Sequence, residues 1–137
     1  MRRLALLASV VIIAVSLLPH VAYSAMSQNT IDPNSLLSDN GRHITVTGPI
    51  VCTAGERLTV SVTVTQASTG AVAHGHTQEV CTGSLQRWTI KAVARGPVRF
   101  ADGHADASAL GTTRLNGTIT DVRQWQAANG LTLTQVD

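Results

Sequence analysis

Aromatic residues are nearly absent: the 137-residue chain holds two tryptophans, one tyrosine and one phenylalanine, 3% in all. Its core must therefore be aliphatic, and any stacking platform for bases or sugars would rest on one or two side chains. Lysine is scarcer still, with Lys91 the single example, and the arginines form no cluster. That lack excludes the extended basic footprint of a nucleic-acid binder or a protein held on anionic membrane. No stretch sustains a 3.6-residue apolar period, and Gln124 to Asn129 has room for one helical turn only, so a helical fold is excluded. Gly-x-Ser-x-Gly and comparable nucleophile settings are missing as well. Serines, His104, Asp102 and Asp106 do occur, but without an arranged nucleophile, base and oxyanion donor the expectation is that the chain is not an enzyme and needs no cofactor.

The apolar residues that are present fall into two unequal parts. Met1-Arg2-Arg3 is followed by an apolar run from Leu4 to Leu18, then Pro19, then Ala22-Tyr23-Ser24-Ala25. A basic start, a short apolar stretch, a helix breaker and small residues at −3 and −1 of a cut after Ser24 read as a signal peptide over residues 1–24. A membrane anchor fits less well, because 15 helical residues span roughly 22 Å, short of a hydrocarbon core of about 30 Å. Those 24 residues hold Arg2 and Arg3, which account for the whole net charge of +2. The remainder, from Ala25, is neutral, and the expected localisation is extracellular or at the cell envelope, with no membrane contact after cleavage.

Export changes what two cysteines mean. Cys52 and Cys81 are the only pair available in an oxidising compartment, so one intramolecular disulfide is expected. A metal site or catalytic thiol would need neighbours at ligand spacing, and His76, five residues before Cys81, is the only His or Cys nearby.

Residues 25–41 are polar and turn-rich and read as a flexible arm with at most one short edge strand near Thr30 to Asp32. From residue 42 to 137 the period is two. Ile44, Val46, Gly48, Ile50 and Cys52 alternate with Thr45, Thr47, Pro49 and Val51, and Leu58, Val60, Val62 and Val64 alternate with Thr59, Ser61, Thr63 and Thr65. Further strands are expected near 71–80, 85–94, 98–109, 114–123 and 131–136, with turns at Ser68-Thr69-Gly70, Thr82-Gly83, Arg95-Gly96-Pro97, Gly111-Thr112 and Asn129-Gly130. About seven short strands at this spacing predict an all-β antiparallel β-sandwich. Parity puts Trp88, Ile90, Ala92 and Ala94 on one face, with Trp88 at the centre of the core. The same argument turns His74 and His76 to solvent and requires an irregularity at Asp102-Gly103.

Ile44-Thr45-Val46-Thr47-Gly48, Cys52, the 58–65 strand, Val80-Cys81-Thr82-Gly83, Gln86-Arg87-Trp88-Thr89 and a strand from Gly103 to Ala109 follow one another in order. The series resembles a group of small exported bacterial domains of actinobacterial type, immunoglobulin-like in fold and of unknown function, over roughly residues 40 to 137. In that group a Gly-x-x-x-Cys strand, a Cys-Thr-Gly turn and a following Gln-x-Trp recur. The resemblance implies an immunoglobulin-like sandwich, a Cys52–Cys81 bridge and a buried Trp88, and it implies no catalytic residue. The histidines at 74, 76 and 104 are not part of its pattern. A separation of 29 residues is also too short for the bridge of antibody domains, so a different strand order is expected.

Three surface features carry candidate chemistry. His74-Gly75-His76 sets two imidazoles about 7 Å apart on one face of a strand, and His104, with Asp106 two residues on, is the candidate third ligand of a metal site. The hydroxyl row Thr59, Ser61, Thr63 and Thr65, beside Thr45 and Thr47, has the pattern of a face that binds carbohydrate or ordered water, but strand propensity alone explains it, and a solvated outer surface is the preferred reading. Trp125, between Gln124 and Gln126, is the candidate exposed contact for a partner or sugar. Asn116-Gly117-Thr118 matches a glycosylation sequon that a bacterial protein leaves unused. Together these point to a secreted, non-enzymatic binding or structural module with a protein or glycan partner in the envelope, and to a metal-binding protein as the alternative.

Overall fold

The computed structural model describes residues 26–137, and the signal-peptide reading therefore falls outside the described residues. Eight strands follow in order: β1 (Asn34–Ser38), β2 (His43–Ile50), β3 (Arg57–Gln66), β4 (Ala71–Val80), β5 (Gln86–Ala94), β6 (Gly103–Leu115), β7 (Thr118–Gln126) and β8 (Leu131–Gln135). They form one sheet in the order β3-β4-β5-β2-β1-β8-β6-β7, and a further ladder joins β3 to β6. That ladder is long and regular, from Arg57 opposite Arg114 to Thr65 opposite Asp106, and it closes β1–β6 and β8 into a seven-stranded barrel. Every ladder is antiparallel except β1 with β8, which is parallel.

The all-β expectation holds, but the immunoglobulin-like sandwich does not form. Strand alternation reads the same in both architectures, since each hides one face of every strand. What separates them is whether the sheet edges meet. Here the inward positions are unusually small: Ala71, Ala73, Ala92, Ala94, Ala105, Ala107 and Ala109 are buried beside Gly48, Gly75 and Gly111. Small inner side chains let a single sheet curl tightly enough for β3 and β6 to pair.

Around these, Leu37, Ile44, Val46, Ile50, Leu58, Val60, Val62, Ile90, Leu131 and Leu133 fill the interior with Trp88, which is fully buried. The Trp88 ring lies over Gly48, where a Cβ would stand 2.6 Å from it. Gln66 continues the inward face of β3 as the barrel's buried amide. Its Nε2 donates to the carbonyls of Ala101 and His104 (2.8 and 3.2 Å), and its Oε1 accepts from the Ala101 N–H and the Thr69 hydroxyl (2.9 Å each).

The expected disulfide is present, with Cα atoms 5.4 Å apart. It staples the loop after β2 to the loop after β4, and backbone bonds from Gly55 to Cys81, Cys81 to Glu56 and Gly83 to Cys52 knit the same end. Between β4 and β5 only Ala73 with Ala94 and His74 with Val93 pair. Nearer the disulfide, the Gln86 amide reaches Glu79 Oε2 (3.2 Å) and the Val80 carbonyl (3.3 Å) and links the two strands where the ladder stops. Thr82 donates its N–H to Gln86 Oε1 (2.9 Å), so the Cys-Thr-Gly and Gln-x-Trp residues together build this end of the barrel.

Three local expectations change. The stretch read as a flexible arm contains β1, and it buries Met26, Ile31 and Leu37 while pairing along β2. The strand expected at 98–109 begins at Gly103 and runs to Leu115, so Gly111 lies mid-strand. The turn falls at Asn116-Gly117, both with positive φ (51° and 82°), the type I′ geometry that matches hairpin twist.

Candidate functional site

On the outer face of the barrel the ladders set side chains in rows. His74, Thr63, Ser108 and Gln126 are in register across β4, β3, β6 and β7, and Thr65 faces Asp106 in the next row. Beside them the chain departs from regular pairing. Gln126 is opposite Ser108 and Leu131 is opposite Ala105, so the β7–β8 segment carries two more residues than β6 over this interval and bulges at 127–130. A groove of about 330 Å³ opens there, lined by Thr63, Thr65, Asp106, Ala107, Ser108, Gln126 and Ala127.

The groove is polar and interleaves acceptors with donors. Thr63 Oγ1 and His74 Nδ1 are 3.0 Å apart, which fixes both side chains. Asp106 lies 3.4 Å from His104 Nε2, and both groups are largely exposed (70% and 66%). Three hydroxyls, a carboxylate and a carboxamide thus point outward from three strands of a closed, rigid frame. Such a set hydrogen-bonds vicinal hydroxyls, with the carboxylate accepting and the amide both donating and accepting.

The sequence candidates are placed as follows. His74 and His76 share the outer face, but His76 lies in the row of Ser61 and Leu110, away from the groove. His104 stands four residues from Ser108 along β6, roughly 13 Å at strand rise, so it does not complete a ligand set with the His74 pair. Among the described residues no three of His, Cys, Asp and Glu converge as metal ligands. Trp125, expected to be exposed, is 9% exposed. Its ring packs over Gly111 beside Met26, because Ala109 and Gly111 leave room on the inner side of β6. The exposed indole expected there does not form, and the Trp125 Nε1 has no hydrogen-bond partner among the described residues. Ser108 and Gln126 carry no motif in the sequence that marks them as site residues. Their alternation places them outward, but only cross-strand register brings them beside Thr63.

Fold and groove together define a small disulfide-stapled β-barrel with a polar cleft on its outer wall. Compared with known proteins, the chain matches no family model and no curated sequence.

Proposed function

We propose that the protein is an exported, non-enzymatic binding module that holds a hydroxyl-rich ligand of the oligosaccharide class in the groove between β3, β6 and β7. The observation that carries this reading is the convergence of Thr63, Thr65, Asp106, Ser108 and Gln126, from three strands, on one cleft of about 330 Å³. A rigid barrel wall holds these groups in place, so little ordering cost falls on the protein when a ligand binds. Export is supported by the leader-like run before Ala25 and by a disulfide, which is compatible with an extracellular location.

The test is a titration of the purified protein with envelope oligosaccharides, followed by NMR chemical shifts. Wild type should bind at least one of them with shifts confined to groove residues, and a Thr63→Val/Gln126→Ala double variant should bind about tenfold more weakly, the equivalent of one or two lost hydrogen bonds. Absence of binding to every oligosaccharide, or equal binding by the variant, overturns the reading. Tight stoichiometric zinc binding lost in His76→Ala would favour the metal alternative instead.

A further inference from the structure

The β3–β6 ladder that closes the barrel ends on an unfavourable pair. Arg57 stands directly opposite Arg114, and since Leu58 and Thr113 face inward, both guanidinium groups leave on the outer face. Directly opposed residues have Cβ atoms about 5 Å apart, and like charges there repel.

Nearby acids do not neutralise them. Glu56, adjacent to Arg57, is turned into the barrel end at 6% exposure, where its Oε2 accepts from the Thr120 hydroxyl (2.9 Å). Thr120 in turn meets Thr113 Oγ1 at 2.8 Å. Asp121 faces Arg123 (3.5 Å) and the Met26 N–H (3.4 Å), and Glu79 accepts from Gln86. Neither arginine side chain has a hydrogen bond or ion pair with any described residue. By contrast, Arg87 is paired with Asp32 and Arg42 with the Gly96 carbonyl.

The two arginines line a second cleft, of about 370 Å³, whose other walls are Gly55, Leu115, Asn116 and Gly117. At both glycines a Cβ would meet nothing within 4 Å, so the peptide backbone is open to a ligand on either side. Asn116, held at a φ of 51° by the type I′ turn, is an exposed part of the cleft wall. Across the outer face the row reads Val80, Arg57, Arg114, Ile119, with exposed aliphatic groups flanking the charges.

We propose that Arg57 and Arg114 form a clamp for a phosphate group, and that the flanking aliphatic residues accept an apolar substituent carried by it. A dianionic or bridging oxyanion relieves the repulsion between the guanidiniums and takes bidentate hydrogen bonds from each. The neutral overall charge of residues 25–137 is no obstacle, because one oxyanion needs two arginines and not an extended basic surface. The clamp lies six residues along β3 from Thr63, roughly 20 Å from the groove, and does not depend on what the groove binds.

The experiment compares wild type with Arg57→Gln, Arg114→Gln and the double variant at matched ionic strength, using inorganic phosphate in one arm and vesicles of phosphatidylglycerol or phosphatidylcholine in the other. Saturable phosphate binding with shifts at Gly55 and Gly117, weakened at least tenfold in each single variant, supports a clamp for free phosphate compounds. Arginine-dependent binding to phosphatidylglycerol vesicles, with none to phosphatidylcholine, supports the clamp and assigns a lipid headgroup. The double variant should also melt higher than wild type without ligand, since the opposed charges are gone. Binding in neither arm, or binding that the double variant retains, overturns the proposal.

Discussion

Gly111 shows how a single residue can be misread when only its neighbours in sequence are considered. Next to Thr112 it has the composition of a turn, yet it lies within β6 because Trp125 and Met26 occupy the space its side chain would need. A Cβ there would come within 2.8 Å of the indole and 3.0 Å of the Met26 sulfur. Gly111→Ala should therefore destabilise the protein by about 1–3 kcal/mol, the usual range for overpacking, measured as a lower urea midpoint at unchanged slope. An unchanged midpoint would show that the indole shifts freely. Gln66 was likewise invisible as a structural residue, since a glutamine after a valine strand reads as its polar end. It satisfies three backbone groups and a hydroxyl inside the barrel, so Gln66→Ala leaves buried polar atoms unpaired and should cost about 2–4 kcal/mol. Gln66→Leu restores volume but not the bonds, and should recover little of that loss.

At the scale of elements, β3 and β7 make a contrast. β3 pairs on both sides, with β4 and β6, and every second residue from Leu58 to Val64 is buried. β7 pairs with β6 alone among the described strands, and most of its side chains are exposed. Hydrogen exchange should follow: β3 amides should exchange only on global unfolding, and β7 amides orders of magnitude faster through local opening. Equal protection of the two would mean that β7 is covered in solution. The hairpin between β6 and β7 depends on Asn116-Gly117, where positive φ is required at both positions, so Gly117→Val should destabilise by about 1–2 kcal/mol and loosen the Arg114 end of β6. Strand identities were legible because period-two alternation is local, and β4 and β5 were read nearly to the residue. Asn116-Gly117 is a turn signal in the sequence too, but Gly111-Thr112 has the composition of a turn as well, and the shift from one to the other moves the ends of both strands.

For the whole molecule, the disulfide holds the end of the barrel at which the β3–β6 ladder begins with Arg57, and the ladder runs from there along the whole wall. Cys52 and Cys81 lie 29 residues apart in sequence, and the chain-entropy model assigns such a loop about 3–4 kcal/mol. A Cys52→Ala/Cys81→Ala variant should lose that much stability in urea while keeping the β-sheet circular dichroism of wild type, because the ladder, not the bridge, closes the barrel. A cost below about 1 kcal/mol would place the restraint of the unfolded chain elsewhere. The groove depends on the same closure: Thr63 and Thr65 come from one side of the closing ladder, and Asp106 and Ser108 from the other.

Alternation, turn residues and two cysteines in an otherwise reduced-looking composition are properties of neighbours along the chain, and from them the all-β class, most strand positions, the inward faces and the bridge follow directly. Barrel against sandwich, the burial of Trp125, the Arg57–Arg114 opposition and the assembly of the polar groove each depend on which strands pair and in what register. A one-residue slip turns every side chain to the other face. That register is set by long-range packing, such as Gly48 under Trp88, Gly75 under Ile90 and Gly111 under Trp125, which no local pattern encodes, and so only the tertiary structure decided it.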